Sequence, residues 1–221
     1  MEPFKQPESI GRRSFVVPRN IIATVLDITV TSWIRVQSTK IVSATSHETE
    51  IAGYLGREMI KEKNQRPGLE NQLRIEEEVG TRSSFTIVKP DGRIDIKIIY
   101  SFNESEYFGI ECKRVAGGGS RSAKKLAQKY VADGVMRFVI GKYSPDHDWA
   151  AMIGFVLKGE ISDCIKLIRN NLTSTKIDTC IEEDWSPEDK FGYYKDIYRT
   201  GHRQKDRATR MTILHLFLAI K

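Results

Sequence analysis

The chain has 221 residues, 40% of them hydrophobic, and a formal net charge of +6 from 35 lysines and arginines against 29 acids, enough apolar material for one sizeable core. No run of about 18 or more apolar residues is present to span a membrane and no apolar leader to export the chain, so the expectation is a cytoplasmic protein without a membrane partner. Cys112, Cys164 and Cys180 are widely spaced and form no CxxC pair, which argues against a disulfide framework and a structural zinc site.

Pro18 and Asn20 precede a segment in which Ile21, Ile22, Val25, Leu26, Thr29, Val30, Trp33 and Ile34 recur in pairs every four positions, the period of a helix. Its β-branched residues leave a strand hairpin as the alternative. This N-terminal addition covers about residues 1–44 of a single domain, ahead of a core over 45–157 and a basic C-terminal addition over 158–221. A second helix is predicted from Ser46 to Lys63, with Ile51, Leu55 and Met59 inward. Glu48, three residues before Ile51, shares that side, whereas Glu50 falls with Tyr54, Arg57 and Glu58. Thr45-x-x-Glu48 also fits a capping box, in which the glutamate serves only the helix start. After the break at Arg66-Pro67-Gly68, Gln72 to Val79 reads as the first strand, with a short piece at Thr86 to Val88.

The stretch from Gly92 to Val115 carries the chemistry. Ile94, Ile96 and Ile98 alternate with polar neighbours in Arg93 to Tyr100, and an Asn-Glu-Ser-Glu turn leads to a second strand over Phe108 to Val115. Glu111 and Lys113 project from one face of that strand and Phe108, Ile110 and Cys112 from the other, so Asp95, Glu111 and Lys113 can meet. The chain holds three carboxylate-x-lysine triplets, and only Glu111-Cys-Lys113 has an apolar strand around it and an acidic strand before it. A cross-strand ion pair on a solvated face is the plain alternative; clustered charges on a buried sheet favour a site.

Ala116-Gly-Gly-Gly-Ser120 then leads into a helix over Ser122 to Met136. With Arg121, Lys124 and Lys125 the loop either cradles a phosphate or is a flexible crossover. Gln128 and Lys129 lie on this helix and receive no catalytic role. Arg137 to Tyr143 and Ala150 to Leu157 read as buried strands, and Ile161 to Asn171 as a helix with Ile161, Cys164, Ile165 and Ile168 inward. Thr173 to Gly192 reads as a loop. Thr212 to Ile220 reads as a strand at the sheet edge, with His215 a hydrogen-bonded core histidine. Charge is concentrated in two segments, Gly119 to Tyr143 and Lys190 to Arg210, each +5. In the second, Tyr198 to Lys205 reads as a surface loop in which Arg199 and Arg203 grip a nucleic-acid backbone and His202 bonds a phosphate or has no role, while Tyr193, Tyr194 and Tyr198 either stack on bases or pack on a core.

Pro90-Asp91-Gly92-Arg93-Ile94-Asp95 followed by Ile110-Glu111-Cys112-Lys113 resembles the PD-(D/E)xK nuclease superfamily. The resemblance implies an α/β, restriction-endonuclease-like core: a central mixed sheet flanked by helices, in the order helix, three strands, helix, strand. It implies Mg2+, with Mn2+ substituting, held by Asp95, Glu111, the backbone carbonyl of Cys112 and an additional acid. Glu48 is preferred for that acid; Glu50, Glu76 and Glu78 stay open, as does Asp91 in place of Asp95. Lys113 would orient the attacking hydroxide. Arg121, Lys124, Lys125, Lys129, Arg199, His202 and Arg203 would bind nucleic acid, DNA ahead of RNA. A homodimer, a partner subunit and a role in antiviral defence are further implications of family membership. A nucleic-acid-binding module that does not cut is the reading from another class.

Overall fold

The paired apolar residues between Ile21 and Ile34 form a helix and not a hairpin. In the computed structural model, which describes residues 14–81, 92–174, 178–191, 196–207 and 209–221, α1 spans Arg19–Thr39 and α2 spans Glu48–Asn64. α1 buries Ile22, Val25, Leu26, Ile28, Trp33 and Val36, and this packing overrides the modest helix propensity of its β-branched residues. α2 buries Ile51, Leu55 and Met59, the stripe its period predicts. Both helices share one apolar layer with Ile96, Ile98, Phe108, Ile110, Ile153, Phe155, Leu214 and Leu216 of the sheet.

Among the described residues the sheet is mixed and has seven strands: β1 (Arg74–Thr81), β2 (Gly92–Ile99), β3 (Tyr107–Val115), β4 (Trp149–Val156), β5 (Ile181–Pro187), β6 (Ile197–Arg203) and β7 (Arg210–Ala219), in the order β1-β2-β3-β4-β7-β6-β5. β3, β4 and β7 run parallel at the centre, and the flanking pairs are antiparallel. The second face is covered by α3 (Arg121–Tyr130), α4 (Met136–Val139) and α5 (Ile161–Leu172), whose Ala127, Tyr130, Phe138, Cys164 and Ile168 pack with Val115, Met152, Ile213 and Phe217. The chain is thus α/β, and no helix of the described residues is long and apolar enough to cross a membrane.

Four segments depart from the sequence reading. Arg137 to Tyr143 is not a strand: α3 runs through a π-helical turn, Val131–Val135, into α4. A short apolar run fits a buried helix end as well as a strand, and periodicity cannot separate them. The predicted loop from Thr173 to Gly192 contains β5, an acidic edge strand whose Glu182, Glu183 and Asp184 are exposed. β7 does not lie at the edge; it sits between β4 and β6. The predicted surface loop from Tyr198 to Lys205 is β6 and its exit, whose Ile197, Thr200 and His202 are buried. The piece at Thr86 to Val88 lies outside the described residues.

His202 therefore cannot grip a phosphate. Its Nδ1 lies 2.8 Å from the Thr179 carbonyl, so Nδ1 carries the proton and Nε2 accepts from the Thr200 hydroxyl at 2.7 Å. Thr200 Oγ1 in turn accepts from His215 Nε2 at 2.8 Å, and His215 Nδ1 accepts from Tyr130 Oη at 2.9 Å. Burial pushes both imidazoles toward neutrality, His202 to about 4 and His215 well below its ordinary value. His215 is the hydrogen-bonded core histidine its apolar neighbours predict.

The centre of the sheet is packed to the limit of glycine. A Cβ on Gly154 of β4 would lie 2.7 Å from Phe217 Cδ1 and 3.3 Å from Val115 Cγ2. Gly154→Ala is expected to cost about 1–3 kcal/mol through overpacking. Urea denaturation checks this, and an unchanged midpoint would contradict the close approach.

Candidate active site

The site begins where the backbone ladder between β2 and β3 stops. The strands pair from Ile96–Ile110 to Ile99–Tyr107. One residue beyond, Asp95 Oδ2 accepts the Cys112 N–H at 2.6 Å, so a side chain takes over from the ladder. Asp95 is thereby fixed beside Glu111, close enough for its charge to bear on that of Glu111. Asp91, the alternative to Asp95, lies outside the described residues.

Glu111 is 1% exposed, and its Oε1 accepts from Lys113 Nζ at 2.6 Å and from Arg137 Nη1 at 3.0 Å. Its Oε2 is buried with no hydrogen-bond partner. Lys113 Nζ also donates to Glu48 Oε1 at 3.0 Å and to the Cys112 carbonyl at 2.8 Å. Glu48 is the first residue of α2 and reaches across to the end of β3, where its Oε2 accepts the Arg114 N–H at 2.9 Å. The capping-box alternative does not form, since the N-cap is His47 and makes no side-chain cap. Of the other acids, Glu50 is exposed, Glu76 pairs with Arg74 at 2.9 Å and Glu78 approaches Arg93 at 3.8 Å.

Arg137 is the residue the sequence reading missed. The π-helical turn shifts the phase of the helix and carries Arg137 back over β3. Gly134 in that turn lacks a Cβ where the side chains of Met152 and Lys113 pass. Arg137 Nη1 donates to Tyr143 Oη at 2.5 Å, and the Tyr143 hydroxyl donates to the Arg93 carbonyl at the head of β2. Its position in a basic segment was legible, but no spacing in the chain connects it to Glu111.

Three carboxylates, Glu48, Asp95 and Glu111, thus face two cations, Lys113 and Arg137, one negative charge too many if all three acids ionise. Burial, joined by the charge of Asp95, pushes Glu111 up to about 8 against the pull of Lys113 and Arg137. Asp95 is raised by burial, offset in part by Lys113 and the Cys112 N–H. Burial opposes the charge of Lys113, but Glu111, Glu48 and Asp95 outweigh it and hold the ammonium above its ordinary pKa. Glu111 and Lys113 are buried and multiply bonded, with Glu48 and Arg137 half-buried at the edge, unlike an ion pair on a solvated sheet face.

As they stand, no three His, Cys, Asp or Glu side chains among the described residues are gathered closely enough to cage a metal. The oxygens are drawn to the Lys113 ammonium instead. The donor set is nevertheless the hard, all-oxygen kind that Mg2+ takes, and Glu111 Oε2 is a buried oxygen in want of a partner. A cleft of about 310 Å3 opens beside these groups, with Glu48, Lys113, Arg114, Lys129 and Arg137 in its walls.

Of the residues predicted to bind nucleic acid, Lys129 lines this cleft. Arg121, Lys124 and Lys125 are exposed along α3, whose start is capped by Ser120 accepting the Ala123 N–H at 3.1 Å. Arg199 and Arg203 lie on β6 and pair with acids, Arg199 with Glu188 at 3.5 Å and Arg203 with Glu182 at 2.5 Å. Tyr193 and Tyr194 lie outside the described residues.

In the metal-free protein the folded state keeps the Glu111 proton up to about pH 8, whereas an unfolded glutamate loses it near about 4.3. The contribution of Glu111 to stability therefore falls as pH rises through this window. Glu111→Gln is expected to be more stable than the native chain at pH 9 by at least about 1 kcal/mol, an advantage that shrinks toward acid pH. Urea titrations across the range check the sign; an advantage growing toward acid would contradict it.

No protein-family model, curated protein or solved structure matches the chain.

Proposed function

We propose that the chain is a metal-dependent nuclease of the PD-(D/E)xK kind that hydrolyses phosphodiester bonds, DNA ahead of RNA. The observation that carries the reading is the meeting of Glu48, Asp95 and Glu111 around Lys113, with Glu111 Oε2 buried and unpartnered. The order α2, β1, β2, β3, α3, β4 also agrees with the helix, three strands, helix and strand of a restriction-endonuclease-like core. A pure binding module has no use for adjacent carboxylates that repel phosphate without a metal.

Asp95, Glu111, the Cys112 carbonyl and Glu48 would hold Mg2+ or Mn2+. When bound, the cation polarises a phosphoryl oxygen and acidifies water. Lys113, in the cleft wall, favours negative charge on an attacking oxygen and on the phosphoryl oxygens of the transition state. Arg137 holds Glu111 in place and shows the rest of its guanidinium to the cleft. The basic face of α3 displaces counterions from the polymer. A defence role, a homodimer matched to the two-fold symmetry of duplex DNA, and a partner subunit belong to the same proposal.

Cleavage of supercoiled plasmid, single-stranded DNA and RNA with Mg2+ or Mn2+ tests the reading. Asp95→Ala and Lys113→Ala are each expected to lose at least about 100-fold in rate. Salt-dependent DNA binding without cutting by the native chain would replace the nuclease with the binding module.

A further inference from the structure

The walls of the cleft hold cations that the carboxylate cluster leaves unused. Arg114 Nη1 donates to the Ser46 carbonyl at 3.2 Å, but its Nε is buried with no acceptor. A buried N–H without an acceptor is unfavourable, and the Arg114 guanidinium lines the cleft with no carboxylate paired to it among the described residues. Lys129, in the last turn of α3, is exposed and has no ion-pair or hydrogen-bond partner among the described residues. Arg137 commits Nη1 to Glu111 and Tyr143 and lines the same cleft.

The charges are layered. Lys113, Arg114, Lys129 and Arg137 line the cleft against Glu48 and Asp133; the carboxylate cluster engages Lys113 and Arg137, which leaves Arg114 and Lys129 as the cations at the mouth that no ion pair neutralises among the described residues. Asp95 and Glu111 lie buried beside it. An oxyanion is attracted to such a mouth, and arginine offers it a planar, charge-assisted fork. A volume of about 310 Å3 is at the low end for small-ligand pockets, room for a phosphate and its sugar and not for a stacked duplex.

We infer that Arg114 and Lys129 form a phosphate-binding subsite beside the carboxylate cluster, which seats a phosphate of the strand next to the one being cut. The identity of the strand rests on the nuclease reading; the affinity for phosphate does not. His47, exposed at the N-cap of α2, stands at the rim of the same cleft.

The test is calorimetric titration of the full chain with inorganic phosphate in metal-free buffer at constant ionic strength. Arg114→Gln, Arg114→Lys and Lys129→Gln are compared with Lys158→Gln, a change at an exposed cation after β4 whose side chain does not line the cleft. The native chain is expected to bind, with affinity about 10-fold weaker in Arg114→Gln, partly restored in Arg114→Lys, weakened in Lys129→Gln and unchanged in Lys158→Gln. Equal weakening in Lys158→Gln, or none in Arg114→Gln and Lys129→Gln, would overturn the subsite. Lys129 is exposed, so its variant keeps the test sound if Arg114→Gln fails to fold. Phosphate binding with this pattern but no cleavage of any polymer would retain the subsite and remove the nuclease. Cleavage with unchanged KM in Arg114→Gln and Lys129→Gln would do the reverse.

Discussion

One buried ammonium organises this molecule. Lys113 Nζ is held by Glu48, Glu111 and the Cys112 carbonyl at 2.6 to 3.0 Å, which ties the first turn of α2 to the centre of the sheet. Removing a charge from water costs several kcal/mol, and the arrangement persists only because each carboxylate has a donor. The balance is still incomplete. Glu111 Oε2 has none, and the site keeps an excess carboxylate that a proton or a cation would neutralise.

The rest of the architecture makes that burial possible. β3 and β4 are covered on both faces, by α1 and α2 on one side and by α3, α4 and α5 on the other. Charged groups on such strands face low dielectric unless they reach a strand end, as Lys113 does. The π-helical turn adds a second cation from the opposite layer, and Tyr143 fastens that cation to the head of β2. Far along the sheet, Thr200 and the two histidines satisfy one another as neutral groups, so β6 joins the core with a polar seam that carries no charge.

The carboxylate-x-lysine spacing occurs three times, and context separates the copies. Asp95-Ile-Lys97 lies on β2 and sends its acid to the cluster, Glu188-Asp-Lys190 follows the end of β5, and Glu111-Cys-Lys113 sends both its acid and its lysine. An apolar strand preceded by an acidic one therefore distinguished the last triplet. The same reasoning failed at Arg137 to Tyr143, where apolar residues are consecutive and a helix end buries them as well as a strand does. It failed again at β5, whose acids satisfy the cations of β6, β7 and α5 and mimic the composition of a loop.

The sequence by itself determined the period-2 and period-3.6 elements, the inward side of Glu48 and the meeting of Asp95 with Glu111 and Lys113, because each follows from neighbours within a few residues. Tertiary structure alone decided the inclusion of Arg137, the burial of His202, the interior position of β7 and the joining of Arg114 and Lys129 in one cleft. Those depend on strand order, on a single extra residue in a helical turn and on partners far away in the chain, and no local period encodes any of them.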